Sequence, residues 1–497
     1  MTEQYRIFEV ELKGTEEGNP YTDVWLEADF ANGEEKVRVN GFYCGNGSYK
    51  IRFMPGKTGK WSAVTKSNDF LLNGIPLECV CTAAKAENHG RVLPMSQVQH
   101  CSLEKEEEHR FRFSYEDGTE FFPFGTTCYA WIHQPEEIRK QTLESLRKTP
   151  FNKVRMCVFP KYYDYNKKNP KDYPFMGSLE EGFDLTCFHP AFWEKLEECI
   201  LKLDQLGIEA DLILFHPYDK WGFSKMDRET DLAYLRYAVD RLCHYKNVWW
   251  SLANEYDLLP WKTVEAWEAY GETVMKRDPY GHLRSIHNCS SMYDYTRSWI
   301  THASIQRIDV YKTAENITEW RAKYQKPIVV DECAYEGNIN YGWGNITGEE
   351  MTRRFWEGCM RGGYLTHGEV FVQNPYIWWS HGGRLYGNSP ERIAFLRKIM
   401  EQAPSGSAPL KLTPENHQAN WDAPCFCREQ DKSFYLYYFG FSQPSFRSYE
   451  LPEGCRYEIE LIDTWNMSID KLPGVYEGRV RIEMPGRQYM AIRMKRV

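Results

Sequence analysis

Two short stretches carry the residues best suited to acid–base chemistry. The apolar run Asn247-Val248-Trp249-Trp250-Ser251-Leu252-Ala253 ends in Asn254-Glu255, and Pro327-Ile328-Val329-Val330-Asp331 ends in Glu332. Cleavage of a glycosidic bond needs two carboxyl groups, one on each side of it, one protonated at rest and the other ionised. Glu255 and Glu332 are the candidates for that pair. Arg155, inside the run Lys153–Phe159, could hold a carboxylate ionised, with Glu332 as its expected partner. Asn254 is the right type to hydrogen-bond a sugar hydroxyl. His287 ends another apolar run; Tyr129 and Trp131, then His216, Tyr218 and Trp221, then Trp378 and Trp379, follow three more. Aromatic faces beside polar groups suit a sugar ring, whose C–H face is apolar and whose rim is hydroxyls. Plainer readings stand beside these. Asn254-Glu255 could cap the next helix, and Glu332 could be a loop acid, with Asp331 pairing structurally. His216 and His287 could be satisfied core histidines, His367 and Glu369 a polar plug at the rim, and alternation admits only one of Trp378 and Trp379 inward.

These residues become neighbours only if the runs are parallel strands of one sheet. Eight apolar runs, Phe121–Gly125, Lys153–Phe159, Ala210–Phe215, Val248–Ala253, Leu283–His287, Ser304–Val310, Pro327–Asp331 and Tyr364–Val372, alternate with segments of helical spacing. Those segments are Pro135–Lys148, Pro190–Leu206, Asp231–Tyr245, Trp261–Lys276, Ser290–Trp299, Thr313–Lys323, Gly348–Met360 and Pro390–Glu401. Eight strand–helix units over 120–403 predict a (β/α)₈ barrel, whose active site lies at the C-terminal strand ends. An open doubly wound sheet would want a glycine fingerprint after the first strand, which Gly125-Thr126-Thr127 does not supply. Residues 1–85 read as short strands between turns, an N-terminal β-sandwich. A linker and hairpin follow over 86–119, with the charge run Glu104-Lys105-Glu106-Glu107-Glu108 as a solvated turn. Ala403–Pro409 ends the barrel, and 409–497 reads as a C-terminal β-sandwich.

Composition narrows the function classes. The 497 residues are 42% hydrophobic and 26% charged, as in globular proteins. With 61 Lys and Arg against 70 Asp and Glu, net charge −9, there is no footprint for nucleic acid or anionic membrane. No apolar run spans a bilayer, and Met1–Arg6 lacks a secretory h-region, so a cytoplasmic enzyme acting on imported oligosaccharides is expected. Fifteen cysteines, an odd number in a large chain, predict reduced thiols; Cys79/Cys81 and Cys425/Cys427 fit buried strand positions. HExxH, Walker, GxSxG and GxGxxG patterns are missing, and no metal or organic cofactor is implied. The partner expected is an oligosaccharide or glycoside substrate, and homo-oligomerisation is left open.

Trp250-Ser251-Leu252-Ala253-Asn254-Glu255, with Glu332 on a later run, resembles the retaining (β/α)₈ glycoside hydrolases with an Asn-Glu acid/base on strand four and a Glu nucleophile on strand seven. More narrowly, the chain is similar to bacterial glycoside hydrolases with DUF5060, DUF4038-type and DUF5605 regions. Tyr49–Pro55 with Gly59-Lys60-Trp61 carries the first likeness, and Asp117–Gly125 the second. The resemblance implies Glu255 as acid/base, Glu332 as nucleophile, and Arg155, Asn254 and His287 as polar site positions. For the strand-six tyrosine of the clan, Tyr311 is a candidate, with His302 and Gln306 competing. The expectation is a retaining enzyme on plant-type oligosaccharides, exo-acting or using short substrates. Its rivals are an inverting enzyme on the same barrel, whose carboxyl groups would stand about 6.5–9.5 Å apart rather than about 5–5.5 Å, and a non-catalytic carbohydrate-binding protein.

Overall fold

The computed structural model describes residues 1–98, 107–373, 375–414 and 416–497. Among them, eight parallel strands form one sheet: Phe124–Thr127, Lys153–Cys157, Glu209–Phe215, Val248–Ala253, Arg284–Ser285, Ala303–Gln306, Ile328–Glu332 and Tyr364–His367. In chain order their spatial sequence is five-four-three-two-one-eight-seven-six, a barrel whose seam lies between strands five and six. A single parallel bridge, His287 to Ser304, spans that seam. The Thr301 N–H donates to the Arg284 carbonyl at 2.9 Å, and side chains add to it: Ser285 Oγ donates to the His302 carbonyl at 2.6 Å and accepts the Ser304 N–H at 3.1 Å, and Tyr295 Oη donates to the Ser304 carbonyl at 2.7 Å. The protein is a (β/α)₈ barrel flanked by β-rich N- and C-terminal regions.

Helices Glu136–Leu146, Pro190–Asp204, Arg228–Leu242, Val264–Arg277, Ile317–Tyr324, Gly348–Met360 and Ser389–Glu401 cover the strands, close to the expected segments. Ser290–Trp299 is not helical, contrary to its spacing. The Asp257 carboxylate takes the N–H groups of Cys289, Ser290 and Ser291 at 2.6, 2.8 and 2.8 Å, and Asp294 takes that of Thr296 at 3.1 Å. Side chains thus claim the donors that a helix would direct at its own carbonyls. Trp299 still packs as an apolar anchor, lying flat on Gly271, where a Cβ would meet its ring at 2.3 Å.

The N-terminal mouth of the barrel is plugged. Strands Val92–Pro94, Phe113–Tyr115 and Glu120–Phe121 form a small sheet. It presses Phe113 and Phe121 against Trp249, Leu283, Val329 and Tyr364. Trp249 therefore faces inward, while Trp250 faces the helices and donates to Asp278 at 3.1 Å. Of the charge run, residues 104–106 lie outside the described residues; Glu108 is no solvated turn residue but a partly buried partner of Arg321.

Residues 2–82 form a five-stranded and a three-stranded sheet around Phe30, Phe53 and Trp61. A hairpin not foreseen from the sequence, Phe175–Ser178 with Gly182–Phe188, leaves the barrel to meet them, and Tyr21 Oη donates to the Phe188 carbonyl at 2.8 Å. Beneath that contact Arg52 donates to Glu197 at 2.6 and 3.1 Å, and Arg241 to the same carboxylate at 2.5 and 3.3 Å, all three buried. Residues 408–496 form a six-stranded and a two-stranded sheet, docked through Tyr438 stacked on Trp356 at 5.2 Å. Every described cysteine is free. No helix among the described residues is long and apolar enough to cross a membrane.

Removing one partner from a buried ionic group strands the remaining charge, at a cost of about 3–5 kcal/mol. Glu197→Ala leaves Arg52 and Arg241 facing each other and is expected to lower stability by about that much. Arg52→Ala is expected to cost less, because Arg241 still neutralises Glu197. Urea unfolding followed by tryptophan fluorescence measures both.

Candidate active site

The site rests on a layer of buried charge inside the barrel. Lys153 and Arg155, two residues apart on strand two, point to the same face. Lys153 Nζ lies 2.6 Å from Asp331 Oδ1 and 2.9 Å from Asp211 Oδ2. Ser304 and Thr366 hydroxyls donate to Asp331 at 2.5 and 2.8 Å. Burial pushes the Asp331 carboxyl up, but Lys153 and then Arg155 overcome it and hold it well below the usual range. Arg155 sits one layer higher. Its Nε is 3.7 Å from Asp211 and 3.8 Å from Asp331, and its Nη1 is 3.6 Å from Glu332 Oε1. It also donates to Tyr129 Oη at 3.3 Å and Asn254 Oδ1 at 3.2 Å.

Two backbone irregularities lift the carboxylates above this layer. A regular strand would send Asp331 and Glu332 to opposite faces. The pairing of strands six and seven shifts register here, so that Gln306, next after Ile305, faces Glu332 rather than Asp331. Such a bulge re-aims a side chain, and both acids reach the interior. On strand four, Glu255 adopts φ 54°, ψ 57°, a left-handed conformation that costs a non-glycine residue roughly 1–3 kcal/mol. That turn keeps Asn254 in the barrel and swings Glu255 over its mouth.

Both carboxylates are nearly enclosed, with Glu255 6% and Glu332 7% exposed. Tyr218 Oη donates to Glu255 Oε2, and Asn254 Nδ2 donates to the same oxygen at 3.1 Å. Tyr129 Oη donates to Glu332 Oε1. With its NH₂ turned to the acceptors, Gln306 donates to Glu255 Oε1 at 3.2 Å and to Glu332 Oε2 at 3.1 Å. Burial, then the charge of Glu332, pushes the Glu255 carboxyl up to about 7. One carboxyl thus keeps its proton near neutrality, while Glu332 accepts hydrogen bonds from Tyr129 and Gln306 and pairs with the Arg155 charge at 3.6 Å. Trp379 meets Tyr129 edge-on at 5.5 Å and Trp343 at 5.1 Å, forming an aromatic wall.

Residues 106–405 match the family described as the apiosidase-like catalytic domain. The chain belongs to the apiosidase-like family. Residues 1–68 and 421–495 match two domains of unknown function, DUF5060 and DUF5605. The apiosidase-like chain is similar to a candidate glycoside hydrolase from Bacteroides vulgatus, with 36% identity, coverage of 100% of this chain and 99% of that one, and a TM-score of 0.91. A glycoside hydrolase family 5 structure from the same organism is 14% identical over 82% of this chain and 94% of its own, with a TM-score of 0.63, and shares the fold alone. None of the curated proteins matches the chain.

Of the residues singled out in the sequence of this apiosidase-like protein, Glu255, Glu332, Arg155, Asn254, Tyr129 and Trp379 come together at the mouth. His287 lies beneath them, fully buried, both ring nitrogens without a hydrogen-bond partner among the described residues. Burial, then Arg155, pushes it well below the usual histidine range. His216 backs the site, its Nε2 3.2 Å from the Phe159 carbonyl. Three expected site residues lie elsewhere. Trp131 is buried against the helices, its Nε1 3.0 Å from Met156 Sδ. Trp221 packs on Tyr173 and Tyr162, and Tyr311 is 89% exposed. His302 lies at the floor between Phe113 and Trp249, which leaves Gln306 beside the carboxylates. Lys161, Tyr163 and Trp343 also line the site, and the sequence reading missed them. Pro160-Lys161-Tyr162-Tyr163, directly after the strand-two run, was the signal available.

One described group could hold a metal ion: Glu336, His367 and Glu369, buried, with ligand atoms within 4.8 Å of one another. Its carboxylates are already engaged. Glu369 accepts the N–H groups of Tyr386 and Gly387 at 2.6 and 2.8 Å, and Glu336 those of Asn388 and Ser389 at 2.8 and 3.1 Å. Four successive donors at a helix start hold two acids, which clamps the loop after strand eight.

The causes of the Glu255 shift have opposite signs under mutation. Tyr218→Phe removes a donor that favours the ionised form and is expected to move the Glu255 titration to higher pH. Glu332→Gln removes a like charge and is expected to move it lower. Carboxyl-carbon NMR on the folded variants reads both.

Proposed function

We propose that this glycoside hydrolase cleaves O-glycosidic bonds with net retention, by double displacement. Glu255 protonates the leaving oxygen while Glu332 attacks the anomeric carbon; Glu255 then deprotonates the water that releases the glycosyl-enzyme. The observation that carries this reading is Gln306. One amide nitrogen at 3.2 and 3.1 Å from the two carboxylates keeps them closer than the roughly 6.5 Å at which an inverting enzyme makes room for its water. The division of labour follows the surroundings. Glu255, buried and beside a like charge, is raised to about 7 and can be an acid near neutrality. Glu332, with Tyr129 as donor and the Arg155 charge 3.6 Å away, is suited to be the nucleophile. Arg155 and Asn254 position these groups.

The low exposure of both carboxylates favours a pocket over a long open cleft, and with it removal of a terminal sugar or cleavage of a short substrate. The family description, apiosidase-like, supports plant-type oligosaccharides as the source of that substrate.

A hydrolysis screen on aryl glycosides and plant-wall oligosaccharides tests the reading. Glu332→Gln is expected to lower kcat by about a thousandfold or more at unchanged folding. With an activated fluoro-sugar, wild type is expected to gain the mass of one glycosyl group, and the variant none. Proton NMR of the first product should show the anomeric configuration of the substrate; the opposite anomer would make the enzyme inverting. Glu255→Ala is expected to lose about 10²–10⁴-fold on poor leaving groups and far less on dinitrophenyl glycosides, which need no acid. The basic limb of kcat/KM should fall near pH 7, as free Glu255 gives up its proton.

A further inference from the structure

The amide of Gln306 serves both carboxylates, and its far side faces the end of strand five. Asn288 accepts the Gln306 N–H at 3.1 Å and donates to its main-chain carbonyl at 3.3 Å. That fixes the main chain and leaves the amide free to turn over. Of the two acids, Glu332, beside the Arg155 charge, selects the amide nitrogen. Glu255 keeps its proton near neutrality and could give that proton to an amide oxygen as readily as accept from a nitrogen. The choice is made on the other side as well. With the NH₂ on the acids at 3.2 and 3.1 Å, the amide oxygen faces Cys289 Sγ at 3.8 Å. An S–H is a weak donor, and that oxygen is its acceptor. Turned over, the amide would set its oxygen against Glu332 and its nitrogen against the thiol.

Cys289 is seated and protonated for this contact. Asp257 takes its N–H at 2.6 Å, so the strand-four end that carries Glu255 also fixes the thiol. Ser290 Oγ donates to Sγ at 3.8 Å, which leaves the S–H itself to find an acceptor. Burial, then the charge of Glu255, pushes the thiol up to about 11, so it remains an S–H through the range in which Glu255 titrates. The thiol also favours the ionised form of Glu255 directly. Cys289 is half-buried at the mouth; the other half-buried thiols among the described residues, Cys44 and Cys187, lie on the N-terminal strand Phe42–Gly45 and on the hairpin strand Gly182–Phe188.

We propose that Cys289 is a positioning residue: its S–H donates to the Gln306 amide oxygen and thereby holds the amide nitrogen on Glu255 and Glu332 together. This rests on the glycosidase reading of that pair and adds to it the residue that aligns it. Without the thiol the amide is free to turn, and each carboxylate loses a donor that favours its ionised form. The acid/base then gives up its proton at higher pH.

Carboxyl-carbon NMR of the full-length protein, beside the pH profile of kcat/KM, tests it. Cys289→Val keeps the bulk and removes the donor. It is expected to raise the Glu255 titration, and with it the basic limb, by about half a pH unit. Cys289→Ser should return part of that shift. Gln306→Met alone should raise the titration at least as far, and adding Cys289→Val to it should move it much less than in the wild type. An unmoved or lowered titration in Cys289→Val, a serine that rescues nothing, or a full additional shift in the Gln306→Met background would each overturn the proposal. Should Cys289→Val fail to fold, methyl methanethiosulfonate caps the thiol of the folded wild type without a mutation, with the labelled peptide identified by mass. Capping is expected to raise the titration in the same way, and no rise would overturn the proposal. An unmoved titration in an enzyme that hydrolyses glycosides would sink this inference and spare the glycosidase reading. A raised titration in a protein that turns over no glycoside would do the reverse.

Discussion

The buried contact between Lys153 and Asp331 is the foundation of the catalytic end of the barrel. Two opposite charges inside a dry interior are strongly held only if each keeps its partners, and here each is satisfied several times over. Asp331, fixed from strands two, six and eight, is the reason strand seven can bulge without fraying. Arg155 then stacks its guanidinium above that layer and shares itself among Asp211, Asp331 and Glu332. Tyr129 and Asn254 take their orientation from Arg155, and the two outer carboxylates take theirs from Tyr129, Asn254, Tyr218 and Gln306. Charge in the interior thus sets geometry at the mouth one layer at a time.

The barrel was legible because its strands are buried on both faces, and unbroken runs such as Val248–Ala253 carry that burial directly into composition. The carboxylate pair was legible because each acid ends such a run. What failed depends on single side chains that no periodicity reports. Ser290–Trp299 has helical spacing, but Asp257, more than thirty positions away, takes its first donors. Trp131 and Trp221 follow the right strands and turn into the packing, where a polar neighbour was needed to hold them at the mouth. Tyr311 was favoured over Gln306 by family habit, and only the register shift at Ile305 brings the glutamine to the acids. Lys161 escaped attention because a lone lysine after a proline reads as surface, and three rings gathered from distant strands bury it.

The flanking sheets bear on the site indirectly. Arg52, from the N-terminal sheets, meets Glu197 and Arg241 on two adjacent barrel helices, so those helices are tied to each other through a third element. The plug of Phe113 and Phe121 closes the far end and keeps water out of the charged layer. Water below Lys153 would screen the field that holds Asp331 and, through Arg155, Glu332. The distant sheets and the hairpin therefore serve the dryness on which the mouth depends.

The seam between strands five and six gives the barrel a preferred place to yield. Everywhere else adjacent strands share a ladder and an outer helix; here one bridge, a single backbone bond from Thr301 to Arg284 and the side chains of Ser285, Asn288, Tyr295 and Thr301 do the joining, and no helix braces the outside. Gln306 stands at the edge of this seam, so a local opening too small to disturb the core would draw the amide from both acids at once.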